Sequence, residues 1–439
     1  MSDALPLPPR PNLEQYKKLA KDFQHACKSQ NPDAIRERAL KWVEKLARLL
    51  QRQIFDDPRR SPGEARKIEQ RWRELHTASG RASRCALSDA QFLVARTHGF
   101  ASWPKFARHL KDLSRRNSPV SQFETAVDAI VSGNSATLQK LLRENRGLVR
   151  MRSTREHRSI LLHYVSANGV EDFRQKTPRN IVEITGMLLD AGADVNAESD
   201  AYGGHATTLG LTATSWHPEN AGVQIPLLEL LIARGAAIEN PDGSSAVVAC
   251  LANGRMQAAE FLAGRGARLD LEGAAGVGQL DLVKSFFHED GSLKPPTTQE
   301  QMKDAFAWAC EFGRSKIADF LLQKGIAVDT RLRHHGQTGL HWAATGGHAA
   351  IVKLLLGRGA SVEVRDKAFD GTPLGWALYG LNHSPATANR DGYYEAISLL
   401  VRAGAKLDPE WLAEDSDRPE REKLRSDKKL AAIFRQQLA

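Results

Sequence analysis

The stretch Gly336-Gln337-Thr338-Gly339-Leu340-His341-Trp342-Ala343-Ala344-Thr345-Gly346-Gly347-His348, followed by Ile351-Val352-Lys353-Leu354-Leu355-Leu356 and Gly359-Ala360-Ser361-Val362, reads as two short helices and their turns. Small residues such as Ala343 and Ala344 let a first helix stack closely on its neighbours. The leucines of the second helix fill the seam between units. Gly359 suits the left-handed position that ends a helix. From Thr338 to Gly359 is 21 residues, and further anchors, Gly192, Gly235, Gly266, Gly325 and Gly404, each close an apolar Leu- or Phe-rich run.

The same 21-residue step from Gly325 reaches Asp304, which opens Ala305-Phe306-Ala307-Trp308-Ala309-Cys310. From Gly266 it reaches Ser245, which opens Ala246-Val247-Val248-Ala249-Cys250-Leu251. A degenerate unit lies between, with Gly273-Ala274-Ala275-Gly276-Val277-Gly278 and Leu280 to Phe287 as its halves. Glycine is a poor helix former, so its first helix should be short or loose. An early unit holds Ala126 to Gly133 and Leu138 to Leu142, giving about eight helix pairs. The Gly336 unit resembles an ankyrin repeat, departing from the T-P-L-H pattern at Gly339, where proline is usual. The resemblance implies an all-α ankyrin-repeat solenoid that binds other macromolecules. It also implies that His341 and His163 hydrogen-bond backbone between neighbouring units.

Three units are too long. Ile160 to Gly192 is 32 residues, Thr207 to Gly235 is 28, and Thr372 to Gly404 is 32, so insertions near 169–180, 216–223 and 381–391 separate helices expected to be intact. Placed between first and second helices, all three should decorate one edge. Arg174, Lys176 and Arg179 in the first and Trp216 and His217 in the second can form a composite ligand surface there. Alternatively, Phe173 and Trp216 tuck the loops against the outer helices, leaving the cations solvated. Leu161 to Val170, Gln175-Lys176-Thr177-Pro178, Tyr202-Gly203-Gly204 and Thr207 to Leu211 are similar to a group of bacterial ankyrin-repeat proteins with no assigned biochemical activity. Ser88 to Arg96 and Gly99 to Phe106 resemble the helical module that often precedes such arrays.

Charge is distributed unevenly along the 439 residues. Residues 1–120 hold 25 Lys and Arg against 13 Asp and Glu, or +12, whereas the remainder holds 36 against 39, or −3. Helical periodicity over 12–52, interrupted by Asn31-Pro32 as a cap and first turn, and a further helix with Ile68, Trp72 and Leu75 place that charge on helices. A final hairpin, with Gly99 ending one helix and Ser102 and Pro104 opening the next, takes Phe92, Phe100, Trp103, Phe106 and Leu110 as core. The expected division is therefore a basic helical module over 1–118, an array over 119–408 and a C-terminal capping helical segment over 409–439.

Cys27, Cys85, Cys250 and Cys310 show no zinc spacing and read as buried small hydrophobes in a reducing cytosol. The start lacks a basic region followed by an apolar run, and no stretch approaches membrane-spanning length. This points to a cytoplasmic protein without membrane contact and leaves specialised export open. No phosphate-binding loop, H-E-x-x-H, nucleophile elbow or kinase signature is present, so no enzyme activity, metal or cofactor is expected.

The favoured function is a protein-interaction scaffold using the concave face and finger loops of the array. Arg331, Arg333, His334, His335, Arg365, Lys367 and Phe369 form cationic, partly aromatic fingers suited to an acidic protein partner. The alternatives are a nucleic-acid-associated protein using the basic N-terminal helices, and a ligand-binding or enzymatic protein using the insertion edge. For nucleic acid, the charge is present but a reading element is not.

Overall fold

The computed structural model describes residues 3–29, 31–50, 60–78, 85–115, 117–332, 335–384, 389–406 and 426–435. The anchors do what their spacing requires: Gly359 has φ 83°, and Gly192, Gly235, Gly266, Gly325 and Gly404 share that left-handed region. The chain divides into two compact units, residues 1–244 and 245–439.

The first unit begins with α1 (Leu13–Lys28), α2 (Ala34–Leu49), α3 (Arg60–Ala78), α4 (Leu87–Thr97) and α5 (Trp103–Leu113). Their apolar stripes meet in one core that includes Tyr16, Phe23, Trp42, Leu93, Phe100, Phe106 and Leu110, with Trp103 packed against it. His98 is buried at its centre, stacked on Phe106 and edge-on to Tyr16 and Trp42. Its Nδ1 hydrogen-bonds the Leu5 carbonyl at 2.8 Å, and Leu5 N–H donates to the Thr97 carbonyl at 2.8 Å, so the start of the chain is threaded into the module.

Ser102 caps α5 through the Lys105 N–H, with Pro104 in the first turn, as expected. The start of α2 is different. Its N-cap is Asp33, whose N–H the Asn31 side chain accepts at 3.0 Å, so Asn31 shapes the turn rather than capping the helix. The cysteine reading also needs correction: Cys27 and Cys85 form a disulfide, with Cα atoms 5.8 Å apart. Sequence spacing alone could not reveal two thiols brought together by α1 and the chain entering α4. Cys250 and Cys310 are buried free thiols.

Three pairs follow in this unit. α6 (Pro119–Ser132) pairs with α7 (Ser135–Glu144), a short helical turn Leu161–Ser166 with α8 (Ile181–Asp190), and α9 (Thr208–Thr214) with α11 (Gln224–Ala233). Between α9 and α11 the insertion forms α10 (Trp216–Asn220). The Leu161–Ser166 segment is a tight 3-10 turn and not the intact α-helix expected. Ala167 turns left-handed at φ 48°, and the Ser166 hydroxyl donates to the His163 and Asn168 carbonyls, which stops the helix after six residues. Two-residue strands, β1 (Glu198–Ser199) and β2 (Ala206–Thr207), pair antiparallel as a small finger.

The second unit holds five further pairs. These are α12 (Ala246–Ala252) with α13 (Met256–Gly264), α14 (Leu271–Val277) with α15 (Leu280–Ser285), and α16 (Gln299–Glu311) with α17 (Ser315–Gln323). They continue as α18 (Gly339–Thr345) with α19 (Ala349–Gly357), and α20 (Pro373–His383) with α21 (Arg390–Arg402). The glycine-bearing α14 is indeed short, at seven residues. A final helix, α22 (Lys428–Arg435), lies against α21, burying Leu430 and accepting the Tyr394 hydroxyl at Asp427, 2.6 Å away. The rest of the expected C-terminal segment, and residues 385–388 of the third insertion, lie outside the described residues.

Gly339 explains its own departure from proline. A Cβ at that position would sit 2.8 Å from Phe306 Cε1 and 3.0 Å from Cys310 Sγ. The aromatic ring of α16 occupies the room a proline ring needs.

Candidate interaction surface

Inner helices α16, α18 and α20 pack side by side and carry tryptophan at one shared position. Trp308, Trp342 and Trp376 are spaced 34 residues apart. Trp308 stacks on Phe312 and donates its indole N–H to Glu272. Trp376 donates its own to Asp366 Oδ2 at 2.8 Å. That aspartate is buried and also accepts the backbone N–H groups of Ala368, Phe369 and Gly371. Burial works against its charge, but these donors outweigh it and hold the carboxyl below the usual range. One carboxylate thus fixes both the finger and the tryptophan.

From Trp376 an aromatic ladder runs in both directions. Phe369 meets Trp376 edge-on with ring centres 5.7 Å apart and His335 at 5.9 Å. Trp376 meets Tyr379 at 5.4 Å, and Tyr379 stacks on His383 at 4.0 Å. Positions 376, 379 and 383 are one helix face by their spacing of three and four. The ladder is open: Phe369 is 68% exposed and Tyr379 46%. An exposed strip of rings is thus held in place by a buried, hydrogen-bonded carboxylate.

The finger residues named from sequence divide into two kinds. Arg331 Nη1 donates to the Gly336 and Arg365 carbonyls at 2.7 and 2.6 Å, and Arg365 Nη1 donates to the Asp370 carbonyl at 2.7 Å and Oδ2 at 3.0 Å. Their guanidinium groups brace one finger on the next. Lys367 is exposed, its methylenes lie beside Gly336, and its backbone N–H donates to the His335 carbonyl at 2.7 Å. His335 and Phe369 enter the ladder. Arg333 and His334 lie outside the described residues.

The insertion edge is rearranged by burial. Arg174 is only 6% exposed and points inward, where Nη1 meets Glu124 Oε2 at 2.7 Å and Nη2 meets Asp128 Oδ1 at 2.8 Å. Arg155 completes the cluster, its Nη1 donating to Glu124 Oε1 and its Nε ion-paired with Glu171 Oε1, both at 2.7 Å. Burial alone would raise the Glu124 carboxyl, but the two guanidinium groups overcome it and hold it at about 2. Glu171 is likewise kept well below the carboxylate range, against its burial, by Arg155 and Arg174. Arg174 is therefore a structural pin for the first insertion and not part of an exposed surface, because two buried carboxylates demand a cation between them.

Lys176 and Arg179 are exposed, Trp216 is 55% exposed, and His217 meets the Trp216 ring edge-on at 5.5 Å. The two insertions do approach each other. Asn168 donates to the Leu211 carbonyl and Thr214 hydroxyl at 3.1 Å, and the Asp172 carboxylate acts on the His217 ring, whose partial burial lowers its basicity overall.

The T-P-L-H histidines are structural in both units. His163 Nδ1 accepts the Ile160 N–H, and Nε2 donates to the Ala197 carbonyl at 3.0 Å. His341 repeats the arrangement with the Thr338 N–H and the Gly371 carbonyl.

Residues 271–366, from α14 to the finger carboxylate Asp366, match the family model of ankyrin repeats, described as three copies. These residues are ankyrin repeats. The solved human ASB11 ankyrin repeat domain is similar over 64% of this chain and 99% of its own, at 19% identity and a TM-score of 0.31, a likeness too loose to bear on function. No curated protein matches the chain. Among the described residues no group of three or more His, Cys, Asp or Glu is placed to hold a metal ion, and no helix is long and apolar enough to cross a membrane. Within the ankyrin repeats, the tryptophan column was the missed signal. Its 34-residue period is visible in the sequence, but alignment by glycines keeps it only from Gly325 to Gly359 and loses it at Gly404, which the third insertion displaces.

Proposed function

We propose that this chain is a protein-interaction scaffold whose ankyrin repeats grip a partner through the inner helices and fingers of the second unit. The aromatic ladder His335, Phe369, Trp376, Tyr379 and His383 carries the reading. Ankyrin repeats in general bind proteins and seldom catalyse, and hot spots of such surfaces are rich in exposed, well-supported aromatic rings. The cation Lys367 beside the rings favours an acidic partner, whereas Arg331 and Arg365 serve chiefly to hold the fingers. Residues 1–118 act on this reading as a basic module appended to the array, and the cytoplasm is the expected compartment. The exposed insertion residues Lys176, Arg179 and Trp216, with the half-buried His217, offer a secondary edge.

The test is comparative capture of partners by the tagged full chain and by Phe369→Ala/Tyr379→Ala. Both residues are exposed, so the thermal transition should be unchanged, while a direct partner should bind about tenfold weaker or worse. Equal capture by both proteins would remove the ladder from the interface.

A further inference from the structure

Helices α1 and α2 flank a cleft of about 200 Å³ that the ankyrin repeats do not supply. Its lining combines Leu19, Trp42, Leu46 and Leu49 with Tyr16, and Leu49 is 47% exposed at one end. Along α2 the residues 38, 41, 42, 45, 46 and 49 fall on one stripe, so this face of the helix is turned to the cleft throughout its length. The rim is cationic. Lys18, Lys41 and Lys45 are exposed and form no ion pair among the described residues, whereas Arg38 is already paired with Asp22.

Two aromatic residues complete the floor. Tyr16 and Trp42 are only 4% and 8% exposed, and both line the cleft. Three lysines with no ion pair among the described residues favour an occupant that brings negative charge. The apolar floor requires that it also bring hydrocarbon. Nucleic acid fits poorly, since a phosphodiester backbone has nothing to place against Leu19, Leu46 and Leu49, and Tyr16 and Trp42 are packed into the core with little ring surface left for stacking bases.

We propose that the α1–α2 cleft docks an acidic peptide segment of a partner protein, which inserts one large apolar side chain between Leu19, Leu46 and Leu49 and sets its carboxylates against Lys18, Lys41 and Lys45. The volume matches a single leucine- to tryptophan-sized group, and the rim surrounds it. This contact is independent of the ankyrin ladder.

The experiment titrates the full chain into a dye-labelled amphipathic peptide carrying one phenylalanine flanked by glutamates, read by fluorescence anisotropy at low and high salt. Saturable, salt-weakened binding is expected, falling about tenfold or more in Lys41→Glu/Lys45→Glu. That variant should in turn prefer a peptide with lysines in place of the glutamates. Replacing the peptide phenylalanine by alanine should abolish binding, as should Leu49→Glu in the protein. Lys41, Lys45 and Leu49 are all exposed, so unchanged thermal transitions report that the variants fold. Phe369→Ala/Tyr379→Ala should bind the probe like the parent chain, which separates this site from the ladder. The proposal is overturned by peptide affinity that ignores the lysine substitutions. It is equally overturned if single-stranded DNA or phosphatidylserine vesicles displace the peptide and bind more tightly, or if sedimentation shows a dimer that Leu49→Glu dissolves.

Discussion

Gly339 sets two physical rules against each other. Proline belongs at the first position of a helix, where its missing N–H costs nothing, and Gly339 opens α18. A stabilising Gly339→Pro change would follow from that local rule alone. Packing gives the opposite sign, because any Cβ there comes within 3 Å of the Phe306 ring. Overpacking of a filled core costs about 1–3 kcal/mol, more than a proline gains by stiffening the unfolded chain. Gly339→Pro is therefore expected to lower the thermal midpoint, and Phe306→Leu in the same chain to recover part of the loss. A rise in midpoint on the single substitution would show that Phe306 moves aside freely. The histidines beside it teach a simpler lesson. His341 and His163 were readable from the motif, since their backbone role follows from the T-P-L-H position, whereas buried His98 belongs to no motif and its place depends on four segments meeting.

At the scale of elements, legibility tracks how local the cause is. Helix pairs, anchors and the cap at Ser102 are written in spacings of a few residues, and they stand where the sequence places them apart from the 3-10 turn at Leu161–Ser166 and the earlier start of α16 at Gln299. The first insertion was legible as an excess of length but not as a shape. Its Arg174 is drawn inward by Glu124 and Asp128, some fifty residues earlier, and such long-range pairing leaves no periodic trace. Removing one member of a buried ion pair strands the others. Arg174→Ala should therefore destabilise the first unit by about 3–5 kcal/mol, measurable in urea, with Lys176→Ala on the exposed flank as the near-neutral comparison.

The Cys27–Cys85 bond is another long-range cause, closing a loop across a separation of 58 residues that includes α2 and α3. Chain-entropy arguments give such a loop about 4 kcal/mol of stabilisation, so reductant should lower the N-terminal melting transition. Cys27→Ser/Cys85→Ser should match the reduced protein and no longer respond to reductant. Identical melts with and without reductant would show that the two thiols are not joined in solution.

Considered whole, the molecule places its strongly perturbed acid–base groups unequally between the two units. Burial holds His98 at about 3 and His109 and His163 at about 4, all in the first unit, where Glu124 is held at about 2. The unfolded chain binds protons at these histidines from about pH 6.5 downward while the folded unit refuses them. Their contribution is thus complete above pH 6.5 and is lost as pH falls toward 4 and then 3. Glu124 adds a second loss, beginning below its ordinary value near 4.5 and continuing through 2. In the second unit burial also lowers His341 and His348, but Glu311 works the other way. Burial raises its carboxyl to about 7, so the folded unit holds that proton more tightly than the unfolded chain, and stability there improves as pH falls from 7 toward 4.5. Calorimetry of the full chain should then show a transition assigned to the first unit moving down markedly between pH 7.5 and pH 5, with that of the second unit moving less. The assignment is made by Arg174→Ala, which should shift only the acid-sensitive transition. Glu311→Gln should raise the other at pH 7.5 and leave it nearly unchanged at pH 5. If both transitions fall together on acidification, the burial of the first-unit histidines is not what sets the acid response.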